Sequence, residues 1–318
     1  MSRTGWWRRL AAVLAVVTAA VLTAAGTLTP ALAATGPSMT TDGSTVNIAV
    51  QGPDNSLLFY WAVSGSGTWH AETVAGADTT YSAPSMTVNG DTVNIAVQGP
   101  GHSLLFYWTF NGSGTWHTQT VGGDLTAAQG PSLAIDGNTF YIAVVHSGII
   151  SSGGLDVWYD TIGTGTWHEE VLAQDVWGYT PAITADGSNI NISAIGQNGG
   201  IEFYWGSLGT WHAETVAGAN TTLTAPSIAV NGDMVTIAAT SEQGHLLFYY
   251  AAIGTGTWNP ETVAGQNTTS SAPSITSDGP ADTINISAVS PGGQLDFYWQ
   301  TDGTSTWNPE TLPGSGIQ

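Results

Sequence analysis

A sequence unit of about 47 residues occurs six times in this 318-residue chain and fills nearly all of it after residue 35. Its clearest marker is a Thr-Trp pair, and successive marker tryptophans are 47, 51, 44, 47 and 49 residues apart. The six markers are Trp69, Trp116, Trp167, Trp211, Trp258 and Trp307. A fixed period of this length predicts a repeat architecture. The predicted units are 36–82, 83–129, 130–179, 180–224, 225–271 and 272–318.

Each unit contains four short strand patterns separated by turn patterns. In the first unit, Asp42-Gly43 favours a tight hairpin. Residues 45–51 then alternate in polarity as a strand does, and residues 57–61 are apolar on both faces, as in a strand covered from both sides. Four antiparallel strands in 40–50 residues are typical of one propeller blade. The predicted fold is therefore all-β, a six-bladed β-propeller of four-stranded antiparallel blades forming a single domain over 34–318.

A β-solenoid is the competing interpretation of such a repeat. Its rungs are usually shorter and its strands parallel, whereas the Asp-Gly and Asn-Gly pairs of this chain favour antiparallel hairpins. The register of the units further predicts that the first and last blades are each one continuous segment. Side-chain packing, rather than a shared strand, would then close the ring.

The first 33 residues lie outside the repeat and have the pattern of a secretory signal peptide. Arg3, Arg8 and Arg9 form a basic start, an Ala/Val/Leu-rich stretch follows, and small residues precede a cleavage site after Ala33. Thr18, Thr23 and Gly26 interrupt the apolar stretch, which argues against a membrane span. We therefore expect a secreted protein, exported by the general pathway or, given the adjacent arginines, by the twin-arginine pathway.

Removal of this segment leaves a chain without any Lys or Arg, because its three arginines are the only basic residues. The formal charge then changes from −20 to −23. Such a chain cannot neutralise phosphates, which excludes nucleic acid and anionic membrane surfaces as partners. The chain also has no Cys. The fold is thus expected to depend on apolar burial and hydrogen bonds, without disulfides.

The repeat resembles that of the bacterial fucose-binding tandem-repeat β-propeller lectins and, more loosely, of the tectonin-type lectins. The resemblance rests on Trp-His-Ala-Glu-Thr-Val-Ala-Gly at 69–76, on Ser-Ala-Pro at 82–84, and on the apolar and aromatic strands of each unit. It covers all six units and implies small-sugar pockets near or between the blades. Those lectins usually carry basic residues in their repeats and several have seven blades, and this chain departs from both features.

A Trp-[His/Asn]-x-[Glu/Gln] pattern on the fourth strand supplies the candidate ligand-binding residues. Strand alternation places the His or Asn and the Glu or Gln on one face, roughly 7 Å apart, and the Trp on the other. An aromatic plate with a few polar groups suits a sugar. The candidates are Trp69, His70, Glu72, Trp116, His117, Gln119, Trp167, His168, Glu170, Trp211, His212, Glu214, Trp258, Asn259, Glu261, Trp307, Asn308 and Glu310.

These residues also have a structural interpretation. Repeated tryptophans commonly pack between blades, and a repeated Glu commonly accepts N–H bonds from the next blade. The exchange of His for Asn and of Glu for Gln among the units keeps hydrogen bonding while changing charge. That exchange suits recognition of hydroxyl groups better than proton transfer.

Metal, cofactor and catalytic sites receive little support. His-x-Glu offers at most two ligands and is missing from two units, and each Asp-Gly turn supplies one carboxylate where calcium needs several. No cofactor, metal site or catalytic residue is predicted. Glycosidases need a specific pair of carboxylates, and the acids outside the repeat pattern are the ones to consider. They are Asp156, Asp160, Glu169, Asp175, Glu202, Glu242 and Asp296.

Unit 3 is the most divergent, with an insertion around His146–Gly154 and an extra Trp177. A unique site, if the chain has one, is expected there. The main functional prediction is a secreted, multivalent, lectin-like protein without enzymatic activity, whose partners are glycans or glycoconjugates carrying neutral sugars. An extracellular protein-interaction or structural scaffold is the alternative, and a glycoside hydrolase or lyase is the third.

Overall fold

The computed structural model describes residues 36–110, 113–146, 153–187, 189–278, 283–301 and 303–314. Within these residues the chain forms 24 β-strands and two short 3-10 turns, at Pro53–Asn55 and Pro100–His102. The strands form six sheets of four, each built from consecutive antiparallel strands in the order of the sequence. The predicted all-β, six-bladed propeller is confirmed.

The first three blades contain strands β1 to β12. Blade 1 comprises β1 (Ser38–Asp42), β2 (Thr45–Gln51), β3 (Leu57–Val63) and β4 (His70–Ala75). Blade 2 comprises β5 (Ser85–Asn89), β6 (Thr92–Gln98), β7 (Leu104–Phe110) and β8 (His117–Gly122). Blade 3 comprises β9 (Ser132–Asp136), β10 (Thr139–His146), β11 (Gly153–Thr161) and β12 (His168–Val176).

The last three blades contain strands β13 to β24. Blade 4 comprises β13 (Ala182–Ala185), β14 (Ile190–Ile195), β15 (Ile201–Ser207) and β16 (Thr210–Ala217). Blade 5 comprises β17 (Ser227–Asn231), β18 (Met234–Thr240), β19 (Leu246–Ala252) and β20 (Asn259–Ala264). Blade 6 comprises β21 (Ser274–Asp278), β22 (Thr283–Val289), β23 (Leu295–Thr301) and β24 (Asn308–Thr311).

The Asp-Gly pair of blade 1 forms the expected hairpin between its first two strands. Asp42 pairs with Thr45, and Gly43 between them has a φ of 48°, a left-handed conformation that glycine adopts without steric cost. This turn sets the register in which alternate residues of β2 face opposite sides of the blade. The same device joins β5 to β6, where Gly90 has a φ of 55°.

Consecutive blades pack face to face, and their apolar side chains form the core. We call the side of a blade that contacts the next blade its forward face, and the opposite side its rear face. Phe59 on the forward face of blade 1 is 2% exposed and packs against Ile95, Tyr107 and Trp116 on the rear face of blade 2. Equivalent clusters lie at the four following junctions, up to the one between blades 5 and 6.

The first strands of consecutive blades lie side by side from β1 to β21, so they surround the axis and the fourth strands lie outermost. Blades 1 and 6 are each one continuous segment, as predicted, and share no strand. We call the junction between blade 6 and blade 1 the closing junction. There Met39 is 43% exposed and Phe297 is only half-buried.

The predicted signal peptide, 1–33, lies outside the described residues, and so does 147–152 of the predicted insertion in unit 3. In each predicted unit, the four described strands form one blade. A search of the described ranges found no helix long and apolar enough to cross a bilayer.

Candidate functional site

The forward face of each blade brings third- and fourth-strand side chains together near the outer rim. In blade 1, Trp61 lies opposite His70, and Phe59 lies opposite Glu72, in the β3–β4 ladder. Paired residues of an antiparallel ladder point to the same side of the sheet. His70 is exposed while Trp61 and Glu72 are half-buried, so these groups form a shallow surface site above the apolar core.

The imidazole of each His in the pattern stacks on the aromatic ring opposite it. The ring centroids of Trp61 and His70 are 4.0 Å apart with planes inclined by 15°. Trp205 and His212 are 4.3 Å apart at 21°. The remaining stacked pairs are Trp108 with His117 and Tyr159 with His168, both at 5.3 Å.

Blades 5 and 6 carry Asn in place of His and use a hydrogen bond instead of a stack. The Asn259 side chain donates to the carbonyl oxygen of Tyr250 at 3.4 Å, and Asn308 donates to that of Trp299 at 3.2 Å. Both contacts leave the ring of the third-strand aromatic uncovered by imidazole. The six fourth strands therefore share one framework, with an imidazole over the aromatic ring in blades 1 to 4 and an amide bonded to the neighbouring backbone in blades 5 and 6.

The Glu72 carboxylate connects this surface site to the neighbouring blade. It accepts a hydrogen bond from the Trp116 indole N–H of blade 2 at 2.9 Å and another from Trp61 of its own blade at 3.2 Å. Trp116 in turn packs edge-on against Phe59, with ring centroids 5.2 Å apart. Each carboxylate oxygen keeps a further lone pair, so Glu72 is held in one orientation and can still accept a bond from a ligand.

The same connection recurs at two later junctions. Trp258 donates to Glu214 at 3.1 Å, and Trp307 donates to Glu261 at 3.1 Å. Between blades 2 and 3, Gln119 instead donates to the carbonyl oxygen of Gly165 at 2.8 Å. Between blades 3 and 4, Glu170 accepts the backbone N–H of Gly209 at 3.1 Å. The indole N–H groups of Trp167 and Trp211 are accordingly left without a partner.

Each site is thus shared between two consecutive units. The structure places His70 and Glu72 on the forward face of blade 1, and the tryptophan that meets them is Trp116 of the next unit. The candidate residues of one sequence motif therefore contribute to two different sites. The marker tryptophans Trp116, Trp167, Trp258 and Trp307 also have the packing role that the sequence left open, because each packs against a Phe of the preceding blade.

The third-strand aromatics are functional candidates that the sequence analysis missed. The sequence shows them only as part of an apolar strand, whereas in blades 1 to 4 their rings lie under the exposed His side chains. The signal in the sequence is the offset between them, because an aromatic residue lies seven to nine residues before the His or Asn in each unit. These aromatics are Trp61, Trp108, Tyr159, Trp205, Tyr250 and Trp299.

A cleft of about 480 Å³ adjoins one of these rings at the junction between blades 4 and 5. Trp205 and Asp186 line it from blade 4, and Asp233 and Ile253 line it from blade 5. A volume of this order accommodates a small ligand. Of the candidate-site side chains at this junction, Trp205 lines the cleft, whereas His212, Glu214 and Trp258 are not among its lining residues.

Unit 3 contains a further cluster of polar groups, which the repeat does not contain elsewhere. The His146 imidazole Nδ1 lies 2.5 Å from a carboxylate oxygen of Asp156, a residue that is 1% exposed. The other carboxylate oxygen of Asp156 has no hydrogen-bond partner among the described residues. Burial raises the pKa of Asp156, and the hydrogen bond from His146 opposes that shift.

The other acids outside the repeat pattern have mainly local contacts. Asp160 accepts hydrogen bonds from Thr164 and from the backbone N–H of Thr166. Glu202 accepts a hydrogen bond from Thr215 at 3.0 Å, and burial raises its pKa. Asp296 accepts one from Thr311 at 2.7 Å. Burial also raises the pKa of Glu169, with a contribution from the charge of Asp156.

The described residues contain no group of three or more His, Asp or Glu side chains placed to hold a metal ion. No Lys or Arg is present after Arg9. The junction sites therefore offer aromatic faces, neutral N–H donors and carboxylate or amide acceptors.

Comparison with solved structures finds the same fold in several lectins. A lectin from Burkholderia pseudomallei is 16% identical, with a TM-score of 0.73 over 85% of this chain and 81% of that chain. AofleA from Arthrobotrys oligospora is 13% identical, with a TM-score of 0.62 over 88% and 87% of the two chains.

The lectin of the fungus Aleuria aurantia, described by its six-bladed β-propeller fold and a novel fucose recognition mode, is 12% identical. Its TM-score is 0.61 over 87% of this chain and 94% of that chain. No protein-family model and no curated protein sequence matches the chain. At these identities the similarity is one of fold, and at that level the resemblance to fucose-binding propeller lectins is confirmed.

Proposed function

We propose that this chain is a secreted, multivalent carbohydrate-binding protein that recognises neutral sugars at the junctions between its blades. The observation that carries the proposal is the site, repeated in blades 1 to 4, in which an exposed imidazole stacks on an aromatic ring beside a hydrogen-bonded carboxylate or amide. Its best-defined example joins Trp61, His70 and Glu72 of blade 1 to Trp116 of blade 2.

The chemistry of this site matches a pyranose. The flat imidazole and indole rings offer a surface for the C–H face of a sugar, and the carboxylate accepts hydrogen bonds from its hydroxyls. Because two indole N–H groups already hold Glu72 in place, a bound sugar does not have to order that side chain. The fold similarity to lectins supports the same assignment.

Repetition of a weak site on one rigid ring produces useful affinity for a multivalent glycan. Once one site is occupied, the others meet neighbouring sugars at a high effective concentration, which raises avidity by about 100-fold or more. The junction sites need no metal or cofactor for this function, since His, Asn, Gln and Glu supply the polar contacts.

Binding without catalysis agrees with the composition of the sites. Each site contributes one carboxylate or one amide from its fourth strand, whereas glycoside hydrolysis usually needs two carboxyl groups about 5 to 9.5 Å apart. The proposed export follows from the predicted signal peptide, and its direct test is the amino-terminal sequence of the mature protein. The proposal expects that sequence to begin at Ala34.

The binding test combines a glycan array with calorimetry on the purified chain. We expect signals on neutral sugars, with methyl α-L-fucoside as the first soluble probe because lectins of this fold bind fucose or fucosides. A variant with His70→Ala, His117→Ala, His168→Ala and His212→Ala should lose most of the signal. A control with Thr73→Ala, Thr120→Ala and Thr262→Ala, all exposed on fourth strands but outside the sites, should retain it.

Other results would favour the alternatives. A tight protein partner that still binds the four-His variant, with no signal on the array, would favour an interaction scaffold. Release of reducing sugar from a polysaccharide by the wild-type chain would show a hydrolase or lyase. Absence of binding on both the array and the calorimeter would remove the lectin assignment.

A further inference from the structure

Among the described residues, no hydrogen bond joins the outer strands at the closing junction, whereas one joins the outer strands of every other pair of neighbouring blades. At the five other junctions, the Glu or Gln of one blade bonds directly to the next blade. At the closing junction the corresponding groups are Glu310 of blade 6 and Trp69 of blade 1. No hydrogen bond joins them, and Glu310 is exposed.

The inner strands show the same difference. The Ser38 hydroxyl accepts the backbone N–H of Met86 in blade 2 at 3.0 Å, and Ser85, Ser132 and Ser227 bond the following blade in the same way. Blade 4 has Ala182 at this position. Blade 6 retains the serine, Ser274, but it is exposed and makes no bond to Met39 of blade 1.

The apolar part of the closing junction is correspondingly looser. The third-strand Phe is at most 4% exposed in blades 1, 2, 4 and 5, whereas Phe297 of blade 6 is only half-buried. Trp299 is 39% exposed, while its counterparts in the other blades are half-buried. Blades 6 and 1 therefore carry the two halves of a junction, and the side chains of these halves are of the same types as those at the other five junctions.

We propose that the closing junction is a sixth sugar site whose two halves are brought together by the ligand, so that sugar binding and ring closure are coupled. This inference rests on the proposed function. Trp299, Asn308 and Glu310 supply the half on blade 6, and Trp69 supplies the half on blade 1. In the closed form, the rear face of blade 1 and the bound sugar then cover the exposed forward face of blade 6.

The coupling follows from binding equilibria. A sugar that contacts both halves binds only the closed form well, so it shifts the population toward closure by its difference in affinity for the two forms. Because only closed molecules bind the sugar well, the apparent affinity of the sixth site equals its intrinsic affinity multiplied by the fraction of molecules that are closed. The other five junctions, already joined by hydrogen bonds, bind without this cost.

A pair of introduced cysteines reports on closure directly, because the chain has no Cys of its own. The test pair is Met39→Cys with Ser274→Cys, at the two exposed inner-strand positions of the closing junction. The matched control is Ser38→Cys with Met86→Cys, at the joined positions between blades 1 and 2. Disulfide formation under mild oxidation is followed with and without methyl α-L-fucoside.

We expect the control pair to form its disulfide rapidly and at the same rate with or without the sugar. The test pair should react more slowly alone and faster with the sugar, by about tenfold if one molecule in ten is closed at rest. Adding Glu310→Ala to the test pair should abolish the acceleration, whereas adding Thr262→Ala, at an exposed position of β20 outside the sites, should preserve it.

Three results would overturn the inference while leaving the proposed function intact. They are equal rates for the two pairs without sugar, sugar binding measured by calorimetry with no change in the test pair, and disulfide-linked dimers in place of intramolecular closure. The last result would assign the exposed faces to a second copy of the chain. Absence of binding on both the glycan array and the calorimeter would overturn both proposals together.

Discussion

Glu72 of blade 1 accepts a hydrogen bond from the indole of Trp116 in blade 2, and this 2.9 Å contact joins the candidate binding site to the packing of the ring. The same indole packs edge-on against Phe59 in the core of the junction. One side chain therefore has both of the roles that the sequence left open for the marker tryptophans. The stability of a junction and the geometry of its site are expected to change together.

Replacement of Trp116 by Phe tests the contribution of that hydrogen bond. Phe keeps an aromatic ring against Phe59 but leaves the half-buried Glu72 carboxylate with one bond fewer, so we expect a loss of about 1 to 3 kcal/mol in the free energy of unfolding. Urea denaturation measures the change. Trp69→Phe at the closing junction is the matched control and should cost much less, since no hydrogen bond is lost there. Equal losses in the two variants would contradict this account.

Truncation of the third-strand Phe residues compares the tight junctions with the loose one. Phe203 is fully buried and packs against Trp258, so Phe203→Ala should lower the free energy of unfolding by about 3 to 5 kcal/mol. Phe297→Ala removes a side chain that is only half-buried and should cost clearly less. Chemical denaturation of both variants provides the comparison, and a larger loss for Phe297→Ala would show that the closing junction is well packed in solution.

Two glycine substitutions distinguish the effect of a steric clash in the folded chain from the effect of reduced backbone freedom in the unfolded chain. A Cβ atom at Gly99 would lie 2.6 Å from both a methyl carbon of Leu105 and the hydroxyl of Ser103, so Gly99→Ala should destabilise the chain by about 1 to 3 kcal/mol. A Cβ at Gly76 meets nothing within 4 Å. Gly76→Ala should therefore be neutral or stabilise slightly through the unfolded chain. Thermal denaturation of the pair distinguishes these effects.

The buried pair in unit 3 predicts a dependence of stability on pH. Burial raises the pKa of Asp156 above its value in the unfolded chain, so the native state holds that proton more tightly. The resulting stabilisation is fully present below about pH 4 and is lost as the pH rises through the raised pKa of Asp156. The partner His146 limits the loss by donating a hydrogen bond to the carboxylate.

His146→Ala should enlarge that loss. Without its partner the buried carboxylate is uncompensated, so we expect the variant to be about 1 to 3 kcal/mol less stable than wild type at pH 7, with a smaller difference near pH 4. Denaturation curves at the two pH values measure it. His245→Ala in blade 5, where the imidazole bonds to Ser241, is the control, and a similar pH effect there would exclude Asp156 as the cause.

Much of this architecture could be predicted because it depends on local patterns. The Thr-Trp period counts the blades, the Asp-Gly and Asn-Gly turns define hairpins, and the alternation of residues in β4 places His70 and Glu72 on one side of the sheet. Each of these features depends on backbone geometry within a few residues, so it can be identified without knowing the rest of the fold.

The composition of the sites could not be predicted in the same way. The sequence places Trp69 beside His70, but the tryptophan that bonds Glu72 is Trp116, 44 residues later in the chain. Trp61 was interpreted as part of an apolar strand, although it stacks on His70 across the hairpin. The sequence shows Asp156 only as one of several acids outside the repeat pattern and His146 only as the start of an insertion, because their pairing depends on the β10–β11 ladder.

The sequence by itself determined the number of units, the four strands of each and the side of the strand on which each candidate residue lies, since periodicity and turn residues act locally. Only the tertiary structure decided which side chains meet between blades and how tightly each junction is joined. Unit 6 carries the same kinds of residue as the others, Phe297 and Glu310 among them. The side chains on its forward face are nevertheless the most loosely packed. The reason is that five junctions join blades adjacent in the chain, whereas the closing junction must join its two ends, and only packing of the completed ring brings them together.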